Sequence, residues 1–260
     1  MLDMTDFSVL AERASALLEA HHQDRPIVLP TVWDAWSAQA MVNAGFEALS
    51  IGSHPLADSV GSADGETMSL SQALAGIARV CGSVDVPVSA DLESGYDTAA
   101  PDLIAGLLEA GAVGVNIEDT VHSEGRLRSA EEHAEYIGDL RRAADAQRVH
   151  VVINARTDVF KNPDDFEDPT AEVVRRLNLC AEAGADSVYP VRLPNTETLK
   201  TILSQVRLPL NVTAHPVKGA VPDELDLSQL QDLGVKRVTF GPLLQATMYD
   251  YFAKFTRNWH

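Results

Sequence analysis

Three acidic residues follow short apolar runs in the first half of the chain, at Asp91, Glu93 and Glu118. Asp91 and Glu93 are two positions apart, so on one strand their side chains would leave the same face. Carboxylates that share a pocket repel each other unless they are protonated or bridged by a cation. Three oxygen ligands with room for water suit Mg²⁺, and Mn²⁺ would also fit, whereas zinc prefers nitrogen and sulfur ligands. The alternative is that one or more of these acids caps a helix or pairs with an arginine.

One arginine, Arg156, ends an otherwise apolar run at residues 151–156. A guanidinium group on a buried strand must meet an anion, because an unpaired buried charge is costly. Arg156 therefore either pairs with Asp158, Asp91 or Glu118, or binds a substrate carboxylate through its forked donors. We expect substrate binding.

The segment 120–130 directly follows the third acid and is mostly polar, as expected of a lid over an active site. We predict that it gates the site and supplies the group that decides the reaction. His122 or Glu124 is the available proton donor, and Arg126 or Arg128 is available for a distal carboxylate. The alternative is a solvated connection whose charges pair with one another.

Eight short apolar runs, rich in β-branched residues, alternate with segments of helical spacing, as is typical of doubly buried parallel strands. They span residues 27–33, 48–53, 86–93, 113–118, 151–156, 187–191, 208–213 and 237–241. Eight strand–helix units predict an α/β protein with the (β/α)8 TIM-barrel fold, whose active site lies at the carboxyl ends of the strands. The alternative is a doubly wound open sheet, but we find neither G-x-G-x-x-G after the first strand nor a P-loop.

No linker or change of composition divides the chain, so we predict one domain over residues 1–260. It would carry an N-terminal helix at about 5–22 and a C-terminal helix at about 243–260. The net charge of −18 argues against nucleic-acid and anionic-membrane partners. The acidic first residues differ from a secretion signal, which predicts a cytoplasmic protein. His133 lies among acidic residues and is expected to face solvent.

Six short motifs give this chain a resemblance to the phosphoenolpyruvate mutase/isocitrate lyase superfamily. They are LSIGS at 49–53, ADGE at 63–66, DLESGYD at 91–97, NIED at 116–119, ARTD at 155–158 and NVT at 211–213. The resemblance implies a TIM barrel that binds Mg²⁺ and an α-keto acid or its enolate. Asp91 would be the direct metal ligand, and Glu93 and Glu118 would hold the metal largely through water.

The resemblance also implies which residues meet the substrate. Ser50, Gly52 and Ser53 would cradle its carboxylate, and Arg156 would bind its other oxygens. Asp64 would sit on a mobile loop, and strand seven would line the pocket with Asn211 and Thr213. The family further implies that the C-terminal helix is exchanged between subunits of a homodimer or homotetramer.

The chain departs from the family in the loop after NIED, which lacks the cysteine that is the catalytic acid/base of the lyases. It also lacks the Lys and Asn that mutases and phosphonopyruvate hydrolases carry there, and has Val191 at the end of strand six. We predict an Mg²⁺-dependent carbon–carbon lyase acting on an α-keto acid or a 2-hydroxy di- or tricarboxylate through a metal-stabilised enolate. The alternatives are a phosphonomutase, a phosphonopyruvate or oxaloacetate hydrolase, or a barrel that binds an α-keto acid or oxalate with little catalysis.

Overall fold

The computed structural model describes residues 4–259, in which strands and helices alternate. The strands are β1 (Ile27–Leu29), β2 (Thr31–Val32), β3 (Leu49–Ile51), β4 (Val88–Asp91), β5 (Gly114–Glu118), β6 (Thr120–Val121), β7 (Arg126–Leu127), β8 (Val152–Thr157), β9 (Ser187–Pro190), β10 (Asn211–His215), β11 (Gly219–Ala220) and β12 (Arg237–Thr239). The helices are α1 (Met4–Ala20), α2 (Ala35–Asn43), α3 (Ser53–Ser59), α4 (Leu70–Cys81), α5 (Ala100–Glu109), α6 (Ala130–Ala146), α7 (Pro169–Ala183), α8 (Thr196–Gln205), α9 (Leu227–Leu233) and α10 (Leu243–Thr256). Single 3₁₀ turns follow at Val159–Lys161, Pro163–Asp165 and Arg257–Trp259.

Parallel pairing runs around the molecule. One set of strands pairs in the order β2-β3-β4-β5-β8-β9, and a second pairs in the order β1-β12-β10. Only Pro30 separates β1 from β2, which joins the two sets on one side. On the other side, Val188 forms a parallel bridge with Leu210, and its N–H donates to the Pro209 carbonyl at 2.9 Å. The predicted eight-stranded TIM barrel is confirmed.

The first predicted strand, 27–33, is interrupted at Pro30 because proline has no N–H to donate to a neighbour. Its carbonyl still accepts from the Ser50 N–H at 3.0 Å. The interruption coincides with a change of partner, since β1 pairs with β12 and β2 pairs with β3.

The third predicted strand, 86–93, ends two residues early, at Asp91. Glu93 has a φ of 50°, in the left-handed region, and lies in the turn that follows. The inference that Asp91 and Glu93 leave one face of a strand is therefore wrong, because the chain turns between them. The Gly95 N–H donates to the Leu92 carbonyl at 2.9 Å within this turn.

Local sequence explains where several helices begin and end. Capping boxes open α2, α4, α6 and α9, where Asp34, Ser69, Ser129 and Asp226 accept from backbone N–H groups of the first turn. Gly184 and Gly234 end α7 and α9 in the left-handed conformation, which glycine adopts without strain.

The two terminal helices differ in how they pack. The predicted N-terminal helix corresponds to α1, whose Leu17 is buried beneath the barrel together with the following His21. The predicted C-terminal helix corresponds to α10 and the 3₁₀ turn that follows; residues 1–3 and His260 lie outside the described residues. No helix within residues 4–259 combines the length and the apolar character needed to cross a bilayer. His133, on α6, is 1% exposed, so the expectation that it faces solvent is wrong.

Candidate active site

A cavity of about 400 Å³ opens at the carboxyl ends of the barrel strands and continues into the barrel interior. Most of the residues that line it have polar side chains, and the lining includes Thr31, Ser50, Gly52, Ser53, His54, Asp64, Asp91, Asn116, Asn154, Arg156, Lys161, Tyr189, Val191, Arg192, Asn211, Thr213, Arg237 and Thr239. Eight of the predicted site residues therefore meet around one space: Ser50, Gly52, Ser53, Asp64, Asp91, Arg156, Asn211 and Thr213. Glu93, Glu118, His122 and Glu124 do not line it.

The three predicted metal-binding acids lie near one another but face different partners. Asp91 ends β4 and lines the cavity, with Oδ2 3.6 Å from Nη1 of Arg156. Glu93 is 2% exposed and turns away, accepting from the Glu66 N–H at 2.6 Å and the Tyr96 hydroxyl at 3.0 Å. Glu118 lies between Arg156, at 2.6 Å, and the Nε2 of His122, at 2.9 Å.

Burial makes the ionised forms of these three acids energetically costly. It raises the pKa of Glu93 to about 7, with Asp91 and Asp64 adding to the effect. Burial likewise raises the pKa values of Asp91 and Glu118, although Arg156 opposes the shift in both. A cation beside Asp91 would relieve this cost, because it favours the ionised carboxylates.

The donor set fits an oxygen-preferring metal only in part. Among the described residues, no three His, Cys, Asp or Glu side chains are arranged to hold a metal ion directly. A hard cation that keeps part of its water shell needs fewer protein ligands, and Mg²⁺ is such a cation. Asp91 fits the direct ligand, since it alone of the three acids lines the cavity, and Glu93 and Glu118 fit contacts through water.

Arg156 lies inside the barrel on β8 and meets three carboxylates. Its Nε and Nη2 donate to the two oxygens of Asp158 at 2.7 and 3.1 Å, and its Nη1 lies 2.6 Å from Glu118. Burial opposes ionisation of Asp158, but Arg156 and Lys161 outweigh it and lower the pKa of that carboxyl. The structural pairing considered for Arg156 is therefore present, and the side chain lines the cavity as well.

The segment 120–130 forms a small antiparallel hairpin of β6 and β7. It brings Nε2 of His122 to 2.9 Å from Glu118 and 3.5 Å from Glu93. The contact with Glu118 raises the pKa of His122, with burial opposing the shift. His122 thus joins two of the acids at the back of the cavity wall.

The other three charged residues of this segment are not brought to the cavity. Glu124 forms an exposed ion pair with Arg126 at 2.5 Å, and Arg126 also contacts Glu132 at 3.0 Å. Arg128 donates to the carbonyls of Glu118 and Ser94 at 3.2 and 2.8 Å. None of these three side chains lines the cavity in this structure. The expectations that Glu124 donates a proton and that Arg126 or Arg128 binds a distal carboxylate stay predictions.

The turn between β3 and α3 forms one wall of the cavity. A Cβ on Gly52 would lie 2.7 Å from the Thr31 methyl carbon and 2.9 Å from Pro55, so only glycine fits there without displacement. Ser53 donates its hydroxyl to Asp64 at 3.1 Å, and His54 lies 3.6 Å from the same carboxylate. The loop that carries Asp64 is thereby tied to the wall.

Strands β9 and β12 supply cavity residues that were not predicted from the sequence, among them Tyr189 and Thr239. Tyr189 contacts the Thr213 hydroxyl, and Asn211 donates to the Thr239 hydroxyl at 3.2 Å. The alternation of side chains along a strand could have indicated them. Tyr189 lies two residues after Ser187, and Thr239 lies two residues after Arg237, so each pair points to the same face of its strand. Lys161 was missed because it lies on the 3₁₀ turn after β8, where its Nζ contacts Asp158 at 2.5 Å.

A parallel eight-stranded barrel with an acidic, arginine-containing cavity at the carboxyl ends of its strands defines a class of fold and site. Residues 17–260 match the family model described as phosphoenolpyruvate phosphomutase. The chain belongs to the phosphoenolpyruvate mutase/isocitrate lyase superfamily. The resemblance carried by the six motifs is thus confirmed, as is the prediction of membership in a family of lyases and mutases.

Individual relatives agree with this assignment. The chain is 31% identical over 224 residues to an uncharacterised protein of Mycobacterium tuberculosis, covering 86% of this chain and 80% of the relative. It is 30% identical over 241 residues to a 2-methylisocitrate lyase of Aeropyrum pernix, covering 88% and 74%. A solved Burkholderia cenocepacia protein, provisionally named a phosphonomutase, superimposes with a TM-score of 0.85 at 33% identity, covering 95% and 99%.

Two more distant structures share the fold. A 2,3-dimethylmalate lyase has a TM-score of 0.82 at 24% identity, covering 95% of this chain and 87% of its own. A phosphonopyruvate hydrolase in complex with oxalate and Mg²⁺ has a TM-score of 0.79 at 22% identity, covering 95% and 87%.

Proposed function

We propose that this protein is an Mg²⁺-dependent carbon–carbon lyase acting on a 2-hydroxy di- or tricarboxylate or an α-keto acid. The observation that carries the proposal is the single cavity that gathers Asp91, Arg156 and the wall at Ser50–Ser53. An acid for a metal, a guanidinium for an oxyanion and a close backbone approach together suit a small carboxylate substrate. The names of the 2-methylisocitrate lyase and 2,3-dimethylmalate lyase relatives support this class of reaction.

The proposed roles follow from the positions of the side chains. Asp91 would hold Mg²⁺ directly, with Glu93 and Glu118 behind it through water. When bound, the metal supplies Lewis-acid polarisation of a substrate oxygen. Arg156 offers Nη1 to the substrate oxygens, and Ser50 binds the carboxylate from the wall. The oxalate and Mg²⁺ bound to the phosphonopyruvate hydrolase support this pairing of ligand and metal.

Cleavage requires two proton transfers. A base takes the proton of the substrate hydroxyl, the carbon–carbon bond breaks, and its electron pair stays on the departing carboxylate fragment as an enolate. An acid then protonates that carbon, which completes the two products. His122 is the proposed proton carrier, because its Nε2 lies 2.9 Å from Glu118 and 3.5 Å from Glu93, the two acids behind the cavity wall.

Substitution of Asp91 tests the proposal. Asp91→Ala is expected to lower divalent-dependent turnover at least a hundredfold, about 2.7 kcal/mol of barrier, in a screen of 2-hydroxy di- and tricarboxylates and α-keto acids. Asp102→Ala, an exposed acid on α5, is the matched control and should turn over like the natural chain. Turnover that EDTA and Asp91→Ala both leave unchanged would refute the proposed function.

A second candidate function is binding without catalysis. Two observations favour it: Val191 lines the cavity, and Arg156 already meets three carboxylates. Calorimetry would then detect saturable binding of pyruvate or oxalate in the presence of Mg²⁺, while the same screen detects no turnover. Phosphonomutase or hydrolase chemistry, as in two of the structural relatives, would appear instead as turnover of phosphonopyruvate or oxaloacetate.

A further inference from the structure

Arg237 is a buried cation that no carboxylate neutralises. It begins β12, is 1% exposed, and lines the inner part of the cavity. Its Nη1 lies 3.3 Å from Nε2 of His21, and its Nη2 donates to the Ser89 hydroxyl at 3.1 Å. Its Nε has no hydrogen-bond partner. Within the described part of the chain it forms no ion pair.

The two groups that Arg237 contacts are neutral. The Nδ1 of His21 lies 2.7 Å from the Leu17 carbonyl, which can only accept, so Nδ1 carries the proton and Nε2 is the acceptor that faces Arg237. Burial lowers the pKa of His21 to about 3, which keeps the ring uncharged. Burial lowers the pKa of Arg237 only to about 10, so the guanidinium remains charged at neutral pH.

Other buried arginines of this protein are paired differently. Arg176 contacts Asp119 and Glu172 at 3.0 and 2.8 Å, and Arg156 contacts Asp158 and Glu118. An isolated buried charge destabilises a fold unless an anion joins it. Arg237 differs in that the space beside it belongs to the cavity, where an anion can enter.

The depth of the Arg237 guanidinium in the barrel determines how long a ligand must be to reach it from Asp91. Its contact on β4, Ser89, precedes Asp91 by two residues and so lies about 6.6 Å further into the barrel along the strand, and Nη2 of Arg237 is 3.1 Å from the Ser89 hydroxyl. Consider a substrate whose keto or hydroxy acid group is held between Asp91 and Arg156. Its second carboxylate would reach the level of Arg237 if it lay two or three carbons further along the molecule.

We propose that Arg237 binds the distal carboxylate of the substrate inside the barrel and so selects dicarboxylates over monocarboxylates. This inference rests on the proposed function, since it takes Asp91 and Arg156 as the binding site for the other end. It gives Arg237 the role that sequence analysis expected of Arg126 or Arg128.

Two matched acids test the inference by calorimetry in the presence of Mg²⁺. 2-Oxoglutarate and 2-oxovalerate share a five-carbon backbone and differ in one terminus, a carboxylate in the first and a methyl group in the second. The natural chain is expected to bind 2-oxoglutarate at least tenfold more tightly. Arg237→Gln should reduce that preference to less than threefold while leaving 2-oxovalerate binding unchanged, and Arg237→Lys should restore part of it. Arg207→Gln, which removes an exposed arginine, is the matched control for net charge.

The possible results separate a failure of the role of Arg237 from a failure of the proposed function. Equal binding of the two acids by the natural chain overturns the role of Arg237 and leaves the proposed function intact. Binding of neither acid overturns the inference, and the turnover screen with Asp91→Ala then decides on the proposed function. Competition by chloride or phosphate that depends on Arg237, without any preference for the dicarboxylate, assigns the position to a free anion and also overturns the inference. A variant that loses 2-oxovalerate binding together with its circular dichroism spectrum has unfolded, and the Arg237→Lys preference then decides.

Discussion

His122 contacts both acids that lie behind the cavity wall, Glu93 and Glu118. Its Nε2 is 2.9 Å from Glu118 and 3.5 Å from Glu93, and its side chain is 21% exposed. A ring between two buried carboxylates can exchange a proton with them, so any proton that His122 supplies to the cavity would pass through these acids. The lyase cysteine that is absent from this loop would have had the same task.

Replacing His122 should separate proton transfer from the charges of the hairpin. His122→Ala is expected to lower turnover at least tenfold, about 1.4 kcal/mol of barrier, because the proposed proton carrier is lost. Arg126→Ala removes only an exposed pair with Glu124 and Glu132, and its turnover should stay within twofold of the natural chain. Equal loss in both variants would mean that hairpin integrity, and not proton transfer, explains the effect; steady-state kinetics makes the comparison.

The buried His133 is expected to make the stability of the protein depend on pH. Burial lowers its pKa to about 4, below the ordinary value of 6.5, so between these pH values the unfolded chain binds a proton that the folded chain does not. The free energy of unfolding is therefore at its full value above pH 6.5 and decreases by about 3 kcal/mol as the pH falls toward 4. Urea unfolding at pH 7 and pH 4.5 should show a smaller loss for His133→Leu than for the natural chain. The exposed His22→Leu should retain the full loss, and an identical pH slope in His133→Leu would contradict the prediction.

At the scale of elements, the turn from β3 into α3 forms the cavity wall by close approach. Gly52 packs against Thr31 of β2 and Pro55 of α3, and neither neighbour leaves space for a Cβ. The neighbouring Ser50 and Ser53 take their positions from this contact, and Ser53 in turn holds Asp64.

Adding one methyl group at Gly52 tests this wall. Gly52→Ala is expected to reduce stability by about 1–3 kcal/mol, the usual cost of overpacking, and to raise KM by displacing Ser50 and Ser53. Combining it with Thr31→Ser removes the closest contact and should recover part of both losses. Thermal unfolding and KM measurements on the two variants would contradict the packing argument if Thr31→Ser gave no recovery.

At the scale of the whole molecule, α10 begins on the barrel and ends in solvent. Its first turns are held by Gln245, which donates to the Pro55 carbonyl at 3.0 Å, and by the buried Leu244. Its later aromatic residues are exposed, namely Tyr249 at 74%, Phe252 at 55%, Phe255 at 76% and, in the following turn, Trp259 at 88%. Contiguous exposed apolar surface of this kind marks an interaction site, and we propose helix packing between subunits of a homodimer or homotetramer.

Light scattering at micromolar concentration is expected to give the mass of a dimer or tetramer. Phe252→Glu combined with Phe255→Glu should shift the mass to that of one chain, because two charges would be buried at the interface. Val217→Glu, which changes a residue 70% exposed elsewhere, should leave the mass unchanged. A monomeric natural chain would contradict the proposal.

The order of strands, the barrel and eight of the residues that line the cavity could be predicted from the sequence. Doubly buried strands produce continuous apolar runs, and polar residues at their carboxyl ends converge because parallel strands all end at the same face. Asp91, Arg156 and Asn211 were predicted on this basis and line the cavity. The family was recognised from its motifs, since DLESGYD, NIED and ARTD occur together and in order.

Which charged side chains line the cavity depends on contacts between distant segments of the chain. The turn after Asp91 directs Glu93 to Glu66 and Tyr96, and no local pattern marks a strand as ending there. Glu124 pairs with Arg126 across a hairpin turn and stays at the surface. Arg237 reads in sequence like any residue at the start of a strand. Its burial without a counter-ion depends on β12, β4 and α1 meeting inside the barrel, and such long-range contacts are not encoded in any short segment.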